Sequence, residues 1–479
     1  MQKKFVKNIF FLLAVNTLVK PFGILVIEPA VQNTVGTAEY GLYNTLFSLS
    51  LLLNIFLDFG ITNFNNRNIS QNRHLVQKHL GSILSLRMVL SLVYILVTLT
   101  VAFCIRYHAV QFQMLILLCF NQVLLSTILY LRSNLAALQF FRTDSIISIT
   151  DRILLILITG ALLLFDKQDY KIEYFIYTQS VAYGVTLFIT LIVLGKKAGT
   201  IKPRWNKAFN LMILKKSFPF ALLILLMTFY NRIDVIMLER MLPLDGALQS
   251  GIYAQAYRLL EASNMIGYLF AVLLLPMFSH MLKNNNPVES LTKLSFTIVF
   301  IPVVAVVSIC FFYNYKIMSM LYHNHVDQSS VILSIIMISL ACICANYIFG
   351  TLLTANGNLK TLNRLAFMGM VVNIVLNAIL IPIYKAKGAA IAGTLTQLCM
   401  AVAQLILVHR LFNFKTDVTL LLKFCILIVF AVGLSYASSL LTIPWILSAG
   451  MVFTAILLFA FLLQLFKLQQ VKLLFRGDK

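Results

Sequence analysis

The sequence predicts an all-α integral membrane protein with about fourteen transmembrane helices. Composition points there first: the 479 residues are 60% hydrophobic and only 11% charged, against about 25% charged in an ordinary soluble domain. Mean hydropathy is +0.90. The apolar runs are also about 20 residues long, the length a helix needs to cross hydrocarbon, whereas the strands of a β-barrel would alternate in runs of about 10.

Taken in order, the first span is placed at about 6–27. Its lead-in, Met1-Gln2-Lys3-Lys4, resembles a signal peptide. The apolar run is too long for one, contains Asn16, Lys20 and Pro21, and lacks a small-residue cleavage site. Spans two to six follow at about 42–60, 81–103, 112–131, 145–165 and 172–194, joined by short polar connections. The basic stretch 195–216 is the longest break, and it reads as a linker. Spans seven to twelve follow at about 217–238, 251–276, 291–313, 331–354, 362–383 and 388–411, and two more at about 417–441 and 443–466. The expected organisation is a six-helix lobe (1–194), the cytoplasmic linker (195–216), a second six-helix lobe (217–411), and two C-terminal helices with a cytoplasmic tail (412–479).

A formal charge of +22 raises the question of nucleic acid, but the position of the charge decides otherwise. About 26 lysines and arginines lie in one set of loops and at both termini, about 7 in the opposite loops, and five (Lys20, Arg87, Arg152, Arg232, Arg258) inside spans. That is the positive-inside pattern, with both termini cytoplasmic and an even number of spans. The seven cysteines lie in or beside apolar runs and read as small core hydrophobes. His323-x-His325-x-Asp327 sits in a short loop without further ligands, so no metal is expected.

The two lobes look alike. Tyr40-Gly41-Leu42-Tyr43 opens span two and Ser250-Gly251-Ile252-Tyr253 opens span eight. Each follows a span with intramembrane cations. Two like six-span halves are a transporter pattern, with the substrate expected between them near the midplane. There is no Gly-rich phosphate loop, nucleophile elbow or carboxylate pair, and no soluble segment large enough for an ATP-binding fold. The expected protein is therefore not an enzyme and needs no cofactor; an ion gradient, the membrane potential or the substrate gradient drives it.

Charges inside apolar helices are costly and mark function. Lys20 precedes Pro21, whose missing N–H kinks a helix, so it is a cation at a hinge. Arg232 and Asp234 are two apart in span seven and point to different faces. Arg258 and Glu261, three apart in span eight, can bridge along one face. Arg87 and Arg152 (with Asp151) lie one to two turns from the cytoplasmic ends of spans three and five, where snorkelling competes with a cavity role. The substrate-binding candidates are Lys20, Arg232, Arg258, Arg152 and Arg87. Asp234 and Glu261 are the candidates for coupling to H+ or Na+. Asp58, at the end of span two, is a helix-end residue or a gate.

Tyr230-Asn-Arg-Ile-Asp234, Gly251-Ile-Tyr-Ala-Gln-Ala-Tyr257, Leu352-Leu-Thr-Ala-Asn-Gly-Asn358, Val372-Asn-Ile-Val-Leu-Asn377 running on to Pro382, and Lys387-Gly-Ala-Ala-Ile-Ala-Gly393 together resemble the polysaccharide-biosynthesis (oligosaccharide flippase, Wzx-type) family, within the multidrug/oligosaccharidyl-lipid/polysaccharide exporters. Glu39-Tyr-Gly-Leu-Tyr43 fits as well. The chain departs from the family pattern at Tyr384-Lys-Ala-Lys387, a minor loop difference. The resemblance implies a MATE-like fold of two pseudo-symmetric six-helix lobes plus two C-terminal helices, and alternating access. It implies a flippase turning an undecaprenyl-diphosphate-linked oligosaccharide from the inner to the outer leaflet of the bacterial cytoplasmic (inner) membrane, for O-antigen, capsule or exopolysaccharide. Its partners would be that lipid-linked glycan, membrane lipids and the polymerase or glycosyltransferases of the pathway. An arginine can hold phosphate with two parallel hydrogen bonds.

Two relatives of the same superfamily stay open as alternatives. A multidrug cation antiporter should present an acidic cleft, whereas here five in-span cations face Asp151, Asp234 and Glu261. A lipid II flippase differs only in its glycan, and no rule reads sugar identity from scattered polar residues such as Asn54, Asn121, Gln122, Gln179 and Asn346.

Overall fold

The computed structural model describes residues 19–62, 65, 76–138, 140–165, 167–198, 204–414 and 417–465. The predicted first span therefore lies outside the described residues as far as residue 18. From residue 19 the chain is helical and enters a π-helical turn at Gly23–Ile27, where Glu28 N–H bonds back to the Gly23 carbonyl. Pro21, with no N–H to give, lies two residues before this widened turn. The helix continues as α1 (Glu28–Val35), ends at Gly36 with φ 93°, and restarts as α2 (Thr37–Leu52).

After a short α3 (Ile55–Asp58) come α4 (Val76–Cys104), α5 (Ala109–Ala137), α6 (Phe141–Phe165), α7 (Ile172–Ala198) and α8 (Lys207–Met241). Then follow α9 (Gly246–Lys283), α10 (Glu289–Phe312), α11 (Asn314–Leu321), α12 (Val326–Ala355), α13 (Leu359–Phe412), α14 (Val418–Ser439) and α15 (Trp445–Leu462). Among the described residues, twelve helices are long and apolar enough to cross a membrane, counting α2 and α3 together as Thr37–Asp58.

One of the twelve is two spans. Helix α13 is broken at Lys385, with φ 51° and ψ −133°. A Cβ on Gly388 would lie 2.3 Å from the Leu380 carbonyl oxygen, one on Gly369 would meet the Met400 Sδ at 2.7 Å, and Asn373 Nδ2 donates to Thr396 Oγ1 at 3.4 Å. These pairings close toward Lys385, so the two arms run antiparallel. They are the spans predicted at 362–383 and 388–411.

The chain forms two compact units, Met1–Gly251 and Ile252–Lys479. The division falls inside α9, between Gly251 and Ile252. Helix α8 falls in the first unit, where it packs along α2. Its end is also pinned: Arg240 stacks 3.9 Å over the Tyr107 ring, donates to the Ile105 carbonyl at 3.2 Å, and pairs with Glu239 at 2.7 Å. Burial and the Glu239 carboxylate push the Tyr107 phenol up to about 12.

The same unit brings the two repeated motifs face to face. A Cβ on Gly41 would lie 1.9 Å from the Ala247 carbonyl oxygen, and one on Gly251 would lie 1.9 Å from the Thr37 carbonyl oxygen. Only glycine permits this approach of α2 to the start of α9. Ser250 Oγ donates to the Gly41 carbonyl at 3.0 Å and lies 2.9 Å from Thr45 Oγ1, while Gln32 Nε2 donates to the Gly251 carbonyl at 2.9 Å. Elsewhere in the unit, Ile83, Leu131 and Ile213 from α4, α5 and α8 share an apolar core.

In the second unit α12 packs against α10 and α13. The two C-terminal helices α14 and α15 pack on α10 around Ile301, Leu427 and Ile456, with Phe430 and Phe459 stacked at 3.9 Å. Their outward residues Leu421, Val429, Leu447 and Leu458 are exposed and apolar, as a lipid-facing surface requires.

Candidate functional site

In the first unit Gly23 packs against Ile156 of α6, where its added Cβ would lie 3.7 Å from the isoleucine side chain. Arg152 lies one turn before Ile156 on the same face. Lys20, three residues before Gly23, consequently sits within the electrostatic reach of Arg152, Arg132, Asp151 and Asp144. Arg132 Nε is paired with Asp144 at 2.8 Å. Arg152 Nε stands 3.7 Å from Asp151 Oδ2 and exposes about a third of its side chain. Glu28 also acts on the Arg152 charge, with the neutral phenols of Tyr43 and Tyr183 nearby. Tyr40 Oη donates to Glu28 Oε2 at 2.8 Å, and Gln179 Nε2 donates to Tyr43 Oη at 2.7 Å.

The cluster therefore joins cations from the first span, α5 and α6 to three carboxylates and a set of phenols. Arg132 is taken up by Asp144. Lys20 forms no direct ion pair with any described acid, and Arg152 holds its acid only loosely. The three cations and three carboxylates cancel formally, so the pull on an incoming anion comes from Lys20 and Arg152 being held less tightly by their acids than Arg132 is.

Arg87 stands apart, and both of its terminal nitrogens are engaged. It is 3% exposed. Its Nη1 forms an ion pair with Asp58, its Nη2 donates to the Ser126 carbonyl at 2.8 Å and to Ser126 Oγ at 2.5 Å, and its guanidinium lies 5.0 Å from the Tyr130 ring centroid. Asp58 in turn accepts from Thr62 N at 3.2 Å. The arrangement is a cross-helix clamp joining α3, α4 and α5.

Arg232, half-buried, and Asp234, buried, lie on α8 in the first unit. Arg258 and Glu261 lie on α9 in the second, where Arg258 Nη1 pairs with Glu261 Oε2 at 2.5 Å, the bridge their spacing allows. Within the units the structure thus gathers Lys20 with Arg152 and Arg258 with Glu261.

Sequence reasoning missed Glu28, placed just past the end of the first span at 27. The π-turn carries the helix through it. It also missed Tyr43, Tyr183 and the Arg132–Asp144 pair. In the second unit the buried Asn373 and Asn377 bond to each other, Asn377 Nδ2 to Asn373 Oδ1 at 3.1 Å. Among the described residues, no three His, Cys, Asp or Glu side chains come together as metal ligands would.

A family model described as "Polysaccharide biosynthesis protein" matches residues 5–282. Among solved structures, the chain is similar to the lipid II flippase MurJ in an inward closed conformation, with a TM-score of 0.75 and 14% identity over 95% of this chain and 98% of that one. It is similar to an outward-facing multidrug resistance MATE family transporter of the MOP superfamily, with a TM-score of 0.63 and 13% identity over 86% and 96% of the two chains. A MOP superfamily transporter from Pyrococcus furiosus, reported with a binding pocket of reverse polarity, gives a TM-score of 0.62 at 13% identity over 86% and 96%. A search of curated proteins finds no match. At these identities the structural likenesses establish the fold: helical, with the architecture of MurJ and MATE transporters.

Proposed function

Because the chain belongs to the polysaccharide biosynthesis protein family, we propose that it is a flippase for an undecaprenyl-diphosphate-linked oligosaccharide. It turns the polar head across the bacterial cytoplasmic membrane by alternating access and so feeds O-antigen, capsule or exopolysaccharide synthesis. The observation that carries this reading is the grouping of Lys20 with Arg152 inside apolar helices. A diphosphate offers the charge and geometry that an ammonium beside a guanidinium attracts. The glycan head cannot cross hydrocarbon unaided, while the polyprenyl tail is at home in it.

Lys20 and Arg152 make the first phosphate contacts in this proposal. Arg232 is a further candidate contact. Arg258 exchanges Glu261 for phosphate only if that bridge opens, and Arg87 holds the fold. Asp234 and Glu261 couple movement to protons or sodium. Both termini face the cytoplasm, in keeping with the distribution of lysine and arginine. The polymerase and glycosyltransferases of the pathway are its functional partners.

The test is export in cells carrying Lys20→Ala or Arg152→Ala. Both should lose surface glycan and accumulate the lipid-linked intermediate at normal protein levels. Wild-type export by both variants would overturn the phosphate assignment. The chemical identity of the accumulated lipid separates this function from lipid II flipping, and its absence, together with loss of resistance to cationic drugs, would favour an antiporter.

A further inference from the structure

A polar surface in the second unit is left unused by the phosphate reading. On α12, Asn346, Tyr347, Gly350, Thr351 and Thr354 recur at helical spacing and are all half-exposed. Cys344, Ala345, Ile348, Phe349, Leu352 and Leu353, which fill the opposite face, are buried. A lipid-facing helix shows the reverse, as α14 does. Thr351 and Thr354 donate to the Tyr347 and Gly350 carbonyls of their own helix, so the polarity left to meet water or a polar ligand is that of the carboxamides around them. The face is also uncharged: α12 carries no ionisable acid or base after Asp327 other than cysteine and Tyr347.

The neighbours of this face add carboxamides on both sides. From α9, Asn264 Nδ2 donates to Tyr347 Oη at 3.4 Å, and the exposed Tyr268 ring meets Tyr347 edge-on at 6.1 Å. From α13, Gln397 Oε1 accepts from Asn346 Nδ2 at 3.0 Å, and Gln404 Oε1 lies 3.1 Å from where a Gly350 Cβ would stand. Three carbonyl oxygens here, Asn264 Oδ1, Asn346 Oδ1 and Gln404 Oε1, are buried and accept no hydrogen bond, although Gln404 is only 5% exposed. Leaving such acceptors unmet is costly, and native proteins rarely do it without a reason.

We infer that this face, between α9 and α13, is a carbohydrate subsite that receives the neutral sugar part of the transported molecule. Sugar hydroxyls supply the donors that the three carbonyls lack, and the Tyr268 ring offers a face for a pyranose. The acceptors lie on two sides of α12, one toward α9 and two toward α13. An extended ligand with many hydroxyls can reach both sides, whereas a single ion cannot. The subsite rests on the flippase reading and adds to it the determinant of glycan choice.

The experiment uses the full chain purified from a glycan-producing strain into nanodiscs. Native mass spectrometry reads the retained lipid-linked glycan, with added undecaprenyl diphosphate as a sugar-free probe. Asn346→Ala and Gln404→Leu should bind the bare probe within about twofold of wild type and lower the ratio of glycosylated to bare lipid by about tenfold or more. Tyr268→Ala, at an exposed ring, should lower the same ratio and serves if the buried substitutions unfold the protein. Lys20→Ala should lose both lipids. An unchanged ratio in folded subsite variants overturns the subsite and leaves the flippase reading standing. If wild type retains neither lipid, the flippase reading falls and the subsite with it.

Discussion

Replacing Arg87 by methionine separates a clamp from a ligand contact. The side chain of Arg87 is 4% exposed and that of its partner Asp58 is 22% exposed. Arg87→Met deletes the ion pair and both hydrogen bonds to Ser126, and it leaves the Asp58 carboxylate with only Thr62 for company. Breaking a buried pair by removing one member costs about 3–5 kcal/mol. The partial exposure of Asp58 places this case near the lower end, about 3 kcal/mol. Asp58→Asn should cost a similar amount. The double variant removes both charges, so it should recover much of the loss, with a coupling of about 2 kcal/mol. Denaturant titration of the four proteins in mixed micelles measures the cycle. If Arg87→Met were as stable as wild type and yet abolished glycan export, the clamp would be wrong and Arg87 would belong among the ligand contacts.

Other substitutions test other joints of the fold. Gly41→Ala would drive a Cβ to 1.9 Å from the Ala247 carbonyl and force α2 from α9; disulfide formation between cysteines introduced at Thr45 and Ser250, whose hydroxyls lie 2.9 Å apart, should fall sharply on a non-reducing gel. Asn373→Ala removes the partner of both Asn377 and Thr396 and should destabilise the protein by about 1 kcal/mol, the usual scale for an interhelical hydrogen bond in a membrane, read from the same titration. Arg240→Ala removes the stack on Tyr107 and the bond to Ile105, and a loss of about 2 kcal/mol should appear as a lower midpoint of thermal aggregation.

The spans were legible in the sequence because hydropathy over about 20 residues reports the bilayer directly. Even the loopless pair inside α13 was readable, through the Lys385–Lys387 break in an otherwise apolar run. The Arg258–Glu261 bridge was readable too, since a spacing of three fixes two side chains on one face. The Arg87–Asp58 clamp was not. Its members are 29 residues apart on different helices, and no spacing rule says which neighbouring helix a charge will meet. Lys20 and Arg152 were each legible as misplaced cations, but their proximity depends on Gly23 lying against Ile156, a tertiary fact. The polar face of α12 was half visible: Asn346 stood out, while Gly350 and the threonines gained meaning only once burial showed which side of the helix they share.

The turn at Lys385 bears on how the protein is made. With no loop between the arms of α13, the second arm cannot wait in water while the first settles in the bilayer. Asn373 and Asn377 on the first arm would meanwhile lie in hydrocarbon without Thr396, at a cost that lasts until the second arm arrives. The two arms must therefore leave the translocon as one hairpin. A nascent chain stalled between them would present the insertion machinery with a span whose polar groups are still unanswered.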